Sequence, residues 1–173
     1  HRSVLELYNE MESSNLTPIL ILHEIGLLSN LLDSLNIQYE YIFIKRLAGE
    51  SPNLFKIALS IVLNFFKLSR FIHKNKIDIV HGNDLRINLT WSFAARASGA
   101  LYIWHQRSLM SPSMLWRASA LLADHFVTIS KYVHQSLPRN IPEAKKTLIL
   151  NPFNVKKTYK KEDSREWLNV VYN

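Results

Sequence analysis

Cysteine is absent from this 173-residue chain, which excludes a disulfide framework and any thiolate-ligated zinc site. Glycine is scarce. Gly26, Gly49, Gly82 and Gly99 are too few and too scattered for a Gly-x-Gly-x-x-Gly dinucleotide turn or a Walker phosphate loop. No Gly-x-Ser-x-Gly nucleophile elbow occurs, and no histidine pair falls at the helical spacing of a zinc site, so metal-assisted hydrolysis has no sequence support. Long apolar runs are missing too: Ile61-Val-Leu63 is broken by Asn64 and then Lys67, far short of the roughly 20 residues a membrane span needs. Acidic charge is in deficit, 14 Asp and Glu against 21 Lys and Arg, for a formal charge of +7. That balance favours anionic partners, among them nucleotides, phosphorylated lipids and anionic membranes. Nucleic acid is not expected, because the cations are scattered and no reading motif is present. A cysteine-free chain suits a reducing compartment, so the expected location is cytoplasmic. The sequons Asn15-Leu-Thr17 and Asn88-Leu-Thr90 are read as chance.

What the chain does contain is a repeated unit. Four apolar, β-branched stretches run straight into polar mouths: Ile77-Asp-Ile-Val-His-Gly-Asn-Asp84, Leu101-Tyr-Ile-Trp-His-Gln-Arg-Ser108, His125-Phe-Val-Thr-Ile-Ser130 and Thr147-Leu-Ile-Leu-Asn-Pro152. Continuous apolar strands are those buried on both faces of a parallel sheet, and ligands bind outside the carboxyl ends of such strands. The predicted order is a helix around Val4 to Met11, a strand Ile19–Leu22, a helix Leu27–Leu35 and a β-type element Tyr39–Ile44. Ser51-Pro52 then starts a helix reaching about Asn75, whose apolar positions alternate with Lys56, Lys67, Arg70, His73 and Lys74. Such a basic amphipathic helix either covers a sheet or lies on an anionic bilayer, and the covering role is the favoured expectation.

The second half reads as strand Ile77–Val80, helix Leu85–Ser98 stopped by Gly99, strand Leu101–Trp104, and a helix from Ser111-Pro112 to near Ala123. It closes with strand Phe126–Ile129, a helix Lys131–Leu137 capped by Ser130, and strand Leu148–Leu150. Alternating βα units with short connections predict a Rossmann-like α/β fold, a right-handed parallel sheet with helices on both faces. After a charged stretch, Lys156–Lys161, a short helix at Asp163–Leu168 and the start of a strand at Asn169–Tyr172 suggest a second unit.

The chemistry is expected in the mouths. His81, Gly82, Asn83 and Asp84 place an imidazole, a side-chain-free backbone unit, an amide and a carboxylate in one turn, suited to hydroxyl groups of a ligand. His105 can hydrogen-bond a sugar or phosphate oxygen, and Arg107 can take an oxyanion in a bidentate way. Each has a plainer reading. Asp84 caps the following helix, His81 and His105 are satisfied core histidines, and Arg107 is a solvated loop arginine.

These pieces, together with His1-Arg-Ser-Val-Leu-Glu-Leu7, Ala123-Asp-His-Phe-Val-Thr-Ile-Ser-Lys-Tyr-Val133 and Ile149-Leu-Asn-Pro-Phe153, occur in an order that resembles the amino-terminal half of family-4 glycosyltransferases of the GT-B fold. The resemblance implies a two-domain enzyme that moves a sugar from a nucleotide-sugar donor to a glycan or glycolipid acceptor with retention, without a metal cofactor. It implies an acceptor-side domain over residues 1–155, lacking its first strand, and a linker with the first strand of a donor-binding domain over 156–173. By position, His105 matches the family histidine facing the donor sugar, Asn83 and Asp84 the polar turn near the acceptor, Ser130 the start of a helix, and Asn151 the asparagine before the linker. The family's glycine-rich loop and the paired glutamates of its second domain have no counterpart among these residues, so the chain is expected to be inactive alone. Polysaccharide or glycolipid assembly at the inner face of a membrane, with peripheral contact to anionic lipid, completes the expectation. A non-catalytic Rossmann-like binding domain, or one half of a split enzyme, is the alternative. A hydrolase using His105 with Ser108 or Ser130 is a third class.

Overall fold

A computed structural model describes residues 2–44, 54–83, 85–110 and 114–150. Helix α1 spans Arg2–Ser13, strand β1 Ile21–Leu22, helix α2 Leu27–Ser34 and strand β2 Glu40–Tyr41. The long helix α3, Leu54–Lys74, leads to strand β3, Ile79–Gly82, and then to helix α4, Leu85–Ser98. Strand β4, Leu101–Gln106, helix α5, Met114–Ala120, strand β5, His125–Thr128, and helix α6, Lys131–Gln135, follow. A 3-10 turn at Glu143–Lys145 delivers strand β6, Lys146–Leu148.

All strand pairs are parallel: β1 with β2, and β3, β4, β5 and β6 side by side in that order. These helix-flanked parallel sheets form the expected Rossmann-like α/β architecture. The two sheets share one core, since Ile42 joins Leu68, Ile72, Trp91, Tyr102, Trp104 and Phe126 in a single apolar cluster. His23 ties them further: its Nδ1 lies 2.7 Å from the Ile42 carbonyl and its Nε2 accepts from the buried Trp91 indole at 3.0 Å. With Nε2 accepting, Nδ1 carries the proton and donates to Ile42, so the tautomer is fixed by its neighbours.

The apolar runs are not buried equally on both faces, as their composition suggested. Along β3, β4 and β5, burial alternates: Val80, Gly82, Tyr102, Trp104, Gln106, Phe126 and Thr128 face the buried side, while His81, Ile103, His105 and Val127 are half-buried. The buried side packs on α4, where Tyr102 donates its hydroxyl hydrogen to Asn88 Oδ1 at 2.6 Å. Each large aromatic there contributes about 1.5–3 kcal/mol by leaving water. Period-two burial lets the sheet present one side to the core and keep its histidines near the other.

Three helices end by one device. Asn36, Lys76 and Gly99 adopt positive φ of 54°, 50° and 77°, and the next amides, Ile37, Ile77 and Ala100, bond back to Leu32, Ile72 and Ala95. This is the Schellman closure, and it turns each helix into the following strand with its last carbonyls satisfied. Gly99 stops α4 as its position suggested.

Several boundaries moved. The strand expected over Ile19–Leu22 is confined to Ile21–Leu22, and the element over Tyr39–Ile44 to Glu40–Tyr41, because ladder pairing covers only Ile21 with Glu40 and Leu22 with Tyr41. The last strand lies two residues earlier than Leu148–Leu150, since β5 pairs Phe126 with Lys146 and Thr128 with Leu148. Helix α5 stops at Ala120 and α6 at Gln135, both shorter than their apolar pattern. The expected elements at 163–172 and the positions of Asp84 and Asn151 lie outside the described residues.

Candidate functional site

Parallel strands with one direction bring their carboxyl ends to one rim, and β3 and β4 are neighbours there. Their register pairs His81 with Ile103 and Gly82 with Trp104, so His105 sits two residues beyond the partner of His81, on the same side of the sheet. The imidazoles meet. His81 Nε2 is 3.2 Å from His105 Nδ1, the ring planes are 3° apart, and the centroids are 5.3 Å apart. Parallel rings whose nearest nitrogens are much closer than their centres lie edge to edge, with a lone pair of one directed at the N–H of the other.

Both rings are held neutral. Burial lowers the pKa of His81, and burial, then the His81 charge, then the Arg107 guanidinium lower that of His105 to about 4. At neutral pH this pair therefore exchanges one hydrogen bond between neutral imidazoles. The second nitrogen of His105, Nε2, is buried without a partner, and so is Asn83 Oδ1. Asn83 follows Gly82 and His105 follows Trp104, so the two unsatisfied atoms belong to register-equivalent positions at the strand ends. Leaving a buried polar atom unpaired costs about 1–3 kcal/mol, a cost a ligand hydroxyl can remove.

The turn after β4 is fixed from below. Trp104 Nε1 donates to Gln106 Oε1 at 2.6 Å, and Gln106 Nε2 donates to the Ser108 carbonyl at 2.6 Å. This buried chain holds the backbone on either side of Arg107, which remains half-buried at the mouth. His81, Asn83, His105 and Arg107 are thus assembled at the β3 and β4 ends.

Two other expected residues have structural work. At Gly82 a Cβ would overlap Asn88 Oδ1 and the Tyr102 hydroxyl, so close packing of the core accounts for the glycine without any ligand. Ser130 accepts the Val133 amide at 3.2 Å and caps α6, as the sequence suggested.

One cluster was not anticipated. At the β5 end, buried Thr128 Oγ1 lies 2.9 Å from His134 Nδ1, His134 Nε2 lies 3.4 Å from Glu143, and Glu143 also pairs with Lys146 Nζ at 2.8 Å. The Lys146 hydrogen bond, then that of His134, lowers the Glu143 pKa. The sequence spacing of Thr128 and His134 hides this contact, because only the cap at Ser130 turns α6 back over β5. Among the described residues no group of three or more His, Asp or Glu side chains is placed to hold a metal ion.

Comparison with known proteins adds family membership. The Glycosyltransferase Family 4 model matches residues 2–157. No curated protein sequence matches the chain. Similar solved structures include a glycosyltransferase from Rickettsia africae, with 19% identity and a TM-score of 0.68 over 98% of this chain and 45% of that one. HepE from Anabaena, in complex with UDP and glucose, has 17% identity and a TM-score of 0.65 over 99% of this chain and 46% of its own. MurG from Acinetobacter baumannii has 16% identity and a TM-score of 0.59 over 89% of this chain and 42% of its own. The chain spans less than half the length of these structures and shares their fold. With the match running over nearly all of its residues, the chain belongs to Glycosyltransferase Family 4 and folds as the amino-terminal domain of a GT-B glycosyltransferase.

Proposed function

We propose that this domain is the acceptor-side half of an enzyme that transfers a sugar from a nucleotide-sugar donor to a glycan or glycolipid with retention at the anomeric carbon. The observation that carries the reading is the neutral His81–His105 pair, with His105 Nε2 and Asn83 Oδ1 buried and unpartnered beside it. A neutral imidazole at this mouth serves as a hydrogen-bonding group for a sugar hydroxyl, and His105 is the residue proposed to touch the donor sugar. Arg107 would bring positive charge toward the donor's phosphates. In the transfer, the bond from the anomeric carbon to the phosphate oxygen breaks, the acceptor oxygen bonds that carbon, and the acceptor proton leaves with the phosphate or to solvent. HepE's complex with UDP and glucose supports a nucleotide-sugar donor. No metal is assigned to the reaction, and the charge on the departing phosphate is left to the donor-binding half.

The cationic excess of the chain supports an acceptor at an anionic membrane surface, with the enzyme on its cytoplasmic side. Among the described residues no helix is long and apolar enough to cross a membrane. The alternative, a binding domain without turnover, would satisfy the same His105 nitrogen with a ligand hydroxyl, and turnover alone separates the two.

The test is release of nucleoside diphosphate and labelling of acceptor by the chain joined to a donor-binding half of the same family. His105→Ala is expected to lower turnover about a hundredfold, the scale of losing one donor aimed at developing charge. The 173 residues alone are expected to give no turnover. Wild-type rates from His105→Ala, or robust transfer by the chain alone, contradict the proposal.

A further inference from the structure

The two ring nitrogens of His105 have unlike surroundings. Nδ1 lies 3.2 Å from His81 Nε2, while Nε2 is buried with no partner. Among the described residues His81 is the one hydrogen-bonding partner of His105, so this bond alone holds the ring by a polar contact. The ring planes are 3° apart, which puts the shared hydrogen in the plane of both rings and in line with a lone pair. A neutral imidazole carries one N–H and one lone pair, so the direction of this bond decides what His105 offers at Nε2. If His105 donates from Nδ1, its Nε2 is an acceptor. If His81 donates, His105 carries its hydrogen on Nε2.

The neighbouring amide decides between the two. Strand register sets Gly82 beside Trp104, and its continuation sets Asn83 beside His105, on backbones about 5 Å apart. Asn83 Oδ1 is a buried acceptor without a donor. A lone pair on His105 Nε2 would place two unsatisfied acceptors at neighbouring positions, whereas an N–H there sets a donor beside an acceptor. A hydroxyl group has one hydrogen and two lone pairs, so a single ligand hydroxyl can donate to Asn83 Oδ1 while accepting from Nε2–H. Two acceptors would compete for its one hydrogen.

We propose that His81 is a positioning residue for His105: its Nε2–H donates to His105 Nδ1 and fixes the imidazole in the tautomer that presents Nε2–H to a ligand hydroxyl. An apolar side chain of the same volume would fill the space at position 81 equally well, but it would leave Nδ1 unbonded and the ring free to turn. This role deepens the proposed function and rests on it for the hydroxyl being that of a sugar.

The experiment takes two readouts from the chain joined to a donor-binding half of the same family. The first is the imidazole nitrogen spectrum of the wild type at neutral pH, without donor or acceptor. It is expected to show hydrogens on His81 Nε2 and His105 Nε2, and a nitrogen–nitrogen coupling between His81 Nε2 and His105 Nδ1 across their hydrogen bond. The second is the transfer rate. His81→Met is expected to lower kcat about tenfold through loss of ring placement. His81→Gln, which carries an amide nitrogen near the place of the imidazole Nε2, should recover most of that loss. In a His105→Ala background His81→Met should cost nothing further, because its effect runs through the missing ring. An unchanged circular dichroism spectrum verifies that the variants fold, and the wild-type spectrum needs no variant. A hydrogen on His105 Nδ1, or no coupling to His81, overturns the proposal and leaves the sugar-transfer reading standing. Equal losses in His81→Gln and His81→Met, or the full loss repeated in the His105→Ala background, overturn it as well, since His81 would then serve packing alone. Absence of transfer by the wild type would count against the sugar-transfer reading, while the ligand-free spectrum still decides the role of His81.

Discussion

His105 is the residue on which the proposed chemistry and stability meet. Burial, and after it the fields of His81 and Arg107, disfavour the imidazolium in the fold, lowering its pKa from the ordinary 6.5 to about 4. The unfolded chain therefore binds a proton there at a higher pH than the folded one does. Stability from this group is fully present above about pH 6.5 and is lost as pH falls toward about 4. His81, also lowered by burial, acts in the same direction. Denaturant midpoints measured across this window are expected to fall on acidification, and to fall less in His105→Gln, whose amide does not titrate. A variant with the same pH slope as the wild type would mean that His105 is not held neutral by the fold. The residue type and its place at a strand end were legible in the sequence; its bond to His81 was not, because the 24 residues between them are brought together only by strand pairing. Gly82 illustrates the converse. Its position in a polar turn pointed to ligand approach, whereas Asn88 and Tyr102 fill the space a side chain would need.

At the scale of elements, periodicity located helices better than strands. Helix α4 occupies Leu85–Ser98 and α3 ends within a residue of the expected Asn75, since a long amphipathic pattern carries its own boundaries. The two-residue strands β1 and β2 are set by partner register, which no local pattern encodes. The helix ends can be tested through Gly99. It stands at φ 77° with nothing within 4 Å of where a Cβ would lie, so the cost of Gly99→Ala comes from the backbone alone. We expect a loss of about 1–2 kcal/mol in denaturant unfolding, the left-handed penalty for an L-residue. A neutral result would place the helix stop in the Ala100 to Ala95 bond and not in the glycine conformation. Helix α3 covers the sheet as its basic amphipathic sequence suggested: one side enters the core, and the apolar arc from Leu59 to Phe66 on the other side is exposed.

Across the whole molecule, the parallel strands, their shared rim and the family match agree on a GT-B amino-terminal domain. The fold was legible because four strand-to-mouth units repeat along the chain. The candidate site was legible as strand ends and residue types, but not as a circuit: Arg107 reaches His105 through its field, Gln106 braces the turn beneath, and Thr128 engages His134 at the adjacent strand end. The central claim is that the neutral imidazole pair meets a sugar. It is tested most directly by the imidazole nitrogen resonances of this chain joined to a donor-binding half of the same family, recorded at a pH between 4 and 6.5 with excess nucleotide sugar and with nucleotide alone. The account predicts a neutral His105 bonded to His81, with its Nε2 signal moved by the nucleotide sugar and not by the nucleotide. A protonated His105 in that window, or an Nε2 signal that nucleotide sugar leaves unmoved, would contradict it.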